Sequence, residues 1–168
     1  MPSLDNALIA IERACGSGAV IRDPSLLESY AQDDSEAAPC MPEAVIRARS
    51  TADVSAVMKA AYEHEIPVTP RGGGTGRVGG AIPVPGGIVL AFEKMNAIEG
   101  IDSRELTTRV QPGVITGDLK RVTEEENLYY PPDPNSRDSC AIGGNLAANA
   151  GGPRAFKYGV TREYVMGM

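Results

Sequence analysis

A chain of 168 residues, 42% hydrophobic and 23% charged, is long enough to bury a core, while 19 glycines and 13 prolines make it rich in loops. A formal net charge of −6 excludes the broad basic face that nucleic acid or an anionic membrane surface requires, so any anion must be held locally. No apolar run reaches the roughly 18 residues of a membrane span and Met1 to Asn6 lacks the regions of a signal peptide, so the expectation is a cytoplasmic protein.

Leu4, Leu8, Ile11 and Cys15 recur at helical spacing behind Ser3 and Asp5, with Gly16 as a stop signal, so an amphipathic helix is predicted first. A β-type run over Ala44 to Ala48 follows. Ser50-Thr-Ala-Asp53 then opens a second helix, with Val54, Val57, Met58, Ala61 and Tyr62 on its predicted inner face. Further strands are predicted over Ile66 to Thr69, Gly87 to Phe92, Ile98 to Ile101 and Leu106 to Val110. Ile88 to Phe92 is continuously apolar, as a central strand is, whereas Thr107 to Gln111 alternates, as a half-exposed strand does. A third helix is predicted from Thr116 or Gly117 to Glu126, with Leu119 and Val122 inward and Asn127 at its end. This mixed order predicts an α/β or α+β sheet covered by helices. The apolar close, Tyr164 to Met168, reads as a chain stopped inside or just before a strand, so a fragment is expected.

Cys15, Cys40 and Cys140 are odd in number and widely spaced, which offers neither a disulfide framework nor a metal site. His64, the only histidine, falls at the end of the second predicted helix and reads as solvent-facing. No catalytic or metal-binding constellation can be assembled from these residues.

The stretch from Pro70 to Pro83 raises the question of function. Gly74-Thr-Gly-Arg-Val-Gly79 satisfies G-x-G-x-x-G, with Glu99 about 20 residues on, but Pro83 and Pro85 forbid the helix that a dinucleotide fingerprint must open. A Walker A loop fails too, since Gly80 stands where its lysine belongs. Two readings stay open: a nest of backbone N–H groups for an anion such as a diphosphate, with Arg71 and Arg77 adding positive charge, or a glycine-rich turn. Ser139 to Gly152 is a second small-residue stretch, with Asn145 and Asn149 at i, i+4; it reads as a second wall of one cleft or as a tightly packed helix start. Tyr130-Pro-Pro-Asp-Pro-Asn-Ser136 is a rigid loop offering Asp133 and Ser136, and Pro112-Gly113 is a turn.

In order along the chain, Arg71-Gly-Gly-Gly-Thr-Gly76, Gly79-Gly80, Pro112-Gly113, Pro131-Pro-Asp-Pro134, Ile142 to Gly152 and Lys157-Tyr-Gly159 resemble the motifs of the FAD-linked oxidases. The likeness is to the vanillyl-alcohol oxidase or PCMH-type FAD-binding domain, nearest in kind to D-lactate dehydrogenases and the D subunit of glycolate oxidase. The resemblance implies an α+β fold of mixed sheets flanked by helices, residues 1–168 being its N-terminal part. A second FAD-domain half and a substrate domain with the catalytic side chains would lie beyond. It implies that Pro70, Arg71, Gly72, Gly73, Gly74, Thr75, Gly76, Gly79 and Gly80 hold the FAD diphosphate. Pro112, Gly113, Pro132, Asp133, Ser136, Gly143, Gly144, Asn145, Ala148, Asn149 and Gly151 would border the flavin and the rest of the cofactor. Thr75 stands where flavin-linked members often carry a covalently bonded histidine, which implies non-covalent FAD. The implied activity is that of a flavin-dependent 2-hydroxy-acid dehydrogenase or oxidase, with a partner subunit or self-association. A stand-alone flavin- or nucleotide-binding module is the alternative.

Overall fold

A computed structural model describes residues 2–168, which form two compact units that divide between Met95 and Asn96. In the first, α1 (Pro2–Cys15) leads to β1 (Val20–Ile21), α2 (Pro24–Leu27) and a 3-10 turn over Glu28–Tyr30. Then come β2 (Ala44–Arg47), α3 (Thr51–Glu63), β3 (Val68–Arg71) and β4 (Ile88–Ala91). The strands form one mixed sheet in the order β1-β2-β4-β3, with β2, β4 and β3 parallel and β1 antiparallel to β2. Pro70 lacks an N–H and is tolerated because β3 is an edge strand.

Both faces of this sheet are covered, which explains the unbroken apolar runs. Ala44, Ile46, Ile88 and Leu90 pack with Leu8, Ile11 and Val57 of the two long helices, while Val45, Val89 and Ala91 pack with Leu27 and Tyr30. The continuously apolar β4 is central and wholly buried, as its sequence predicts.

Helix α3 begins where expected. Ser50 Oγ accepts the Asp53 N–H at 3.1 Å, and Asp53 Oδ2 accepts the Arg49 N–H at 2.8 Å. Ser50→Ala should therefore cost about 1 kcal/mol of stability, read from chemical denaturation. The predicted inner face needs correction, because Met58 is 48% and Tyr62 87% exposed while Val57, Ala60 and Ala61 are buried. A residue one step along a helix is turned by about 100°, so the larger side chains flank a stripe made mostly of alanine.

The second unit opens with the antiparallel pair β5 (Ile98–Asp102) and β6 (Thr107–Val110). Next are α4 (Thr116–Glu125), α5 (Ile142–Ala148), α6 (Ala155–Tyr158) and a 3-10 turn over Thr161–Tyr164. Asn127 follows α4 with φ +58°, a conformation asparagine accepts more readily than most residues. Leu119 is buried as predicted, but Val122 is only half-buried, and Thr116, Lys120 and Thr123 share the inner face. No helix among the described residues is long and apolar enough to cross a membrane.

Candidate functional site

Strands β2, β4 and β3 end at one edge of the sheet, with Arg47 and Arg71 in register on either side of Ala91. In open sheets of parallel strands the carboxyl edge is where ligands bind. The glycine stretch leaves the sheet there, and no helix follows it before β4, so the dinucleotide fingerprint is excluded as the prolines predict.

Arg71 turns under this loop. Its Nη1 donates to the carbonyls of Gln32 at 2.8 Å and Ala81 at 3.3 Å, its Nη2 donates to Ser29 O at 3.1 Å, and its guanidinium lies 5.6 Å from the Tyr30 ring centre. The Tyr30 hydroxyl donates to the Glu93 carboxylate at 3.0 Å and accepts from Arg47 Nη2 at 3.3 Å, with Arg47 Nε 2.5 Å from Glu93. Glu93 is thus spent on Arg47, and among the described residues no carboxylate forms an ion pair with Arg71. Arg71 is only 9% exposed, and burial pulls its guanidinium below its ordinary pKa, with nearby Tyr30, Asp33 and Glu93 opposing. A buried cation with no carboxylate at ion-pair distance is costly; Asp33 and Glu93 offset that cost only in part from farther away, and an anion close by would offset more of it.

The far end of the loop is tied as well. Asp33 accepts the N–H groups of Ser35 at 3.0 Å and Ala81 at 3.4 Å; burial works to raise its pKa, but these bonds and the Arg71 charge keep it below the usual value. Between the two ties, none of the N–H groups from Gly72 to Gly80 donates a hydrogen bond within the described chain. Gly73, Arg77, Val78 and Gly80 are exposed and the others half-buried, so this run leaves its main-chain donors open to water or to a ligand. Gly74 has φ +70°, and a Cβ there would run into the Arg71 guanidinium. Gly76 and Gly80 are different: a Cβ at Gly76 meets only Asp33 Oδ2 at 3.7 Å, and one at Gly80 meets nothing within 4 Å. Packing therefore accounts for Gly74, but not for Gly76 or Gly80. Thr75 is half-buried within the loop, and Arg77 is exposed.

In the second unit the sequence-predicted segments are laced together. Gly143 N–H donates to Pro112 O at 2.8 Å, and a Cβ on Gly143 would stand 2.8 Å from Pro112 Cβ, so this glycine is required by packing. Gly113 is buried in the turn where Val114 N–H reaches Gln111 O at 3.1 Å. Asn145 is 3% exposed and its amide donates inward to Thr116 Oγ1. Asn149 adopts φ +48° at the end of α5, and its side-chain oxygen accepts the Arg162 N–H at 3.1 Å. What α5 leaves open is Gly144, Ala147 and Ala148, and a Cβ on Gly144 would meet nothing within 4 Å.

Pro132 and Asp133 are buried, and Asp133 N–H donates to Gly151 O at 3.1 Å. The Asp133 carboxylate faces inward to Arg137 at 3.1 Å, Lys120 at 3.5 Å and Arg154 at 3.2 Å. Burial alone would raise its pKa, but the Arg137 hydrogen bond and the charges of Lys120, Arg154 and Arg137 hold it below the usual carboxylate value. Ser136 remains half-buried. Sequence reasoning passes over Lys120, Arg137 and Arg154; the one signal was a lysine four residues after Thr116, within the apolar stripe of α4.

His64 caps α3 and sits in a shallow depression lined by Ala61 to Pro67 that holds none of the groups above. Among the described residues, no cluster of three His, Cys, Asp or Glu side chains could hold a metal ion.

The site thus combines a parallel sheet edge, a loop whose main-chain N–H groups are free within the chain, and a buried guanidinium with no carboxylate at ion-pair distance. The chain belongs to the FAD binding domain family, whose model matches residues 42–168. It is 48% identical over 139 residues to glycolate oxidase subunit GlcD of Bacillus subtilis, covering 83% of this chain and 30% of that protein. To D-lactate dehydrogenase of Anaerostipes hadrus it is 47% identical over 127 residues, covering 76% of this chain and 26% of the relative. The chain therefore spans less than a third of these relatives. Among solved structures, p-cresol methylhydroxylase with substrate bound matches with a TM-score of 0.78 at 25% identity, over 89% of this chain and 30% of that one. The expected PCMH-type α+β fold, a mixed sheet flanked by helices, is thus the observed one.

Proposed function

We propose that this chain is the FAD-binding part of a flavin-dependent 2-hydroxy-acid dehydrogenase or oxidase of the D-lactate or glycolate type. The observation that carries the reading is the run of free N–H groups from Gly72 to Gly80 above the unpaired cation of Arg71. A diphosphate suits both, since its oxygens need several donors at short range and its charge balances the guanidinium. Pro70 to Gly80 would hold that diphosphate. Pro112-Gly113, Pro132 to Ser136 and Gly143 to Gly151 would border the remaining parts of the cofactor, with Gly144 and Ala148 offering the open surface of α5. When bound, FAD supplies the two-electron chemistry by which such enzymes oxidise a CH–OH group. The residues of this chain bind and orient it.

Non-covalent attachment follows from Thr75, which offers a hydroxyl where an imidazole would be needed. The three free thiols suit a reducing compartment, and we place the protein in the cytoplasm on that ground. The substrate class, a small 2-hydroxy acid, rests on the likeness to the glycolate and D-lactate enzymes. A partner subunit, or a second copy of the chain, belongs to the same reading.

The test is an absorption spectrum of the purified chain after FAD is added and excess removed. Visible flavin bands that pass into the supernatant on acid precipitation support the reading, whereas a colourless chain, or flavin that stays with the pellet, contradicts it. A second outcome is expected at Gly144. Gly144→Ala should raise the stability of the free chain by about 0.5–1 kcal/mol, because alanine is the better helix former, yet weaken FAD binding by about tenfold. Thermal melting and flavin titration should therefore move in opposite directions.

A further inference from the structure

We propose that Asp133 is a positioning residue that locks the loop Tyr130–Ser136 to the segment Asn149–Ala155, rather than a group that touches the cofactor itself. Its consequence for the cofactor rests on the FAD reading above.

The geometry is that of a joint. Both carboxylate oxygens are occupied: Oδ1 by Arg137 Nη1 at 3.1 Å with Lys120 Nζ at 3.5 Å, and Oδ2 by Arg154 Nε at 3.2 Å. The side chain is only 9% exposed, so little of it is left for a ligand. Its backbone repeats the connection, since the Asp133 N–H donates to Gly151 O at 3.1 Å. Gly152, at φ +97°, passes so close to the Asp133 carbonyl that any Cβ there would overlap it. Lys120 completes the joint from α4 by donating to Tyr130 O at 2.9 Å and Pro132 O at 3.2 Å. Arg154 is held from its other side by the Tyr129 hydroxyl, to which its Nη1 donates at 2.5 Å.

Three cations around one carboxylate leave a local excess of positive charge. Removing the carboxylate sets Lys120, Arg137 and Arg154 against one another, and the loop and the 149–155 segment should then separate. A residue that only contacts the ligand would leave the free chain unchanged.

The experiment is amide hydrogen exchange on the free chain, paired with FAD titration, for Asp133→Asn, Arg154→Gln and the double variant. For D133N we expect exchange over residues 130–136 and 149–155 to rise at least about tenfold while β2 and β4 keep their protection. R154Q, which relieves one cation and keeps the rest of the joint, should raise exchange over 149–155 alone and serves if D133N does not fold. FAD affinity should fall by about tenfold in D133N, and the double variant should lose less than the sum of the two single losses, because the Asp133–Arg154 contact is common to both. Unchanged exchange in D133N, or in R154Q where D133N cannot be studied, overturns the proposal, as do losses of affinity that add across the two sites. If the unaltered chain retains no FAD, the FAD reading fails, and exchange alone decides the joint.

Discussion

Replacing Gly74 with alanine should weaken FAD binding by at least about a hundredfold and destabilise the first unit by about 2–4 kcal/mol. Two effects combine. A non-glycine residue at φ +70° costs about 1 kcal/mol, and the new Cβ must push aside the Arg71 guanidinium, which holds the carbonyls of Ser29, Gln32 and Ala81. Gly76→Ala separates ligand from fold. Its Cβ would make only an ordinary contact with Asp33, so stability should stay within about 0.5 kcal/mol of the parent while FAD affinity drops about tenfold or more. Flavin titration beside chemical denaturation checks both variants. A Gly76→Ala chain that binds FAD as the parent does would show that the loop only turns the chain.

Lys120→Met should destabilise the second unit by about 3 kcal/mol. Methionine keeps most of the apolar stem, so the loss isolates the ammonium, which serves Tyr130 O, Pro132 O and the Asp133 carboxylate from a site 7% exposed. Four of the six tyrosines, Tyr129, Tyr130, Tyr158 and Tyr164, lie in that unit and the chain has no tryptophan, so the near-ultraviolet tyrosine signal follows its unfolding. The cost should depend on pH. Because the Asp133 pKa is lowered on folding, its contribution is present above the unfolded carboxylate value of about 3.9 and lost as pH falls through the folded value. Parent and variant should therefore differ fully at pH 7 and draw together in strong acid. A stability difference that persists unchanged there would mean that Lys120 acts only through the two carbonyls.

Long periodic elements were legible in the sequence. The helices α1, α3 and α4 and the strands β2, β4, β5 and β6 lie close to where the sequence puts them, whereas β3 (Val68–Arg71) starts two residues after the predicted Ile66 and runs on through Pro70 and Arg71, which pair with β4; β4 is central because it is apolar on both faces. The two-residue β1 and the helices α2, α5 and α6, of four to seven residues, are too short for an alternating or a helical period to register. Met58 and Tyr62 misled because hydrophobicity outweighed size; the close approach of α3 selects alanine, and larger side chains sit beside the stripe.

The candidate site was legible by position more than by role. Gly143 and Gly76 look alike in sequence, yet one makes room for Pro112 and the other faces open space beside Asp33. Asn145 and Asn149 share i, i+4 spacing, but Thr116 claims the first and the end of α5 the second. Arg71 was expected to add charge to the loop; the structure ties its guanidinium to the carbonyls of Ser29 and Gln32, which no local pattern connects to it. Such long-range partners are fixed by the fold, not by spacing along the chain.

The claim that main-chain donors of one loop receive the FAD diphosphate is tested most directly by resolving the amide signals of Gly72 to Gly80 by NMR while FAD is added. The amide protons of that run should move downfield together as FAD binds, and pyrophosphate alone should move the same set in the same direction. FAD that binds tightly while those amides stay where they were would contradict the account.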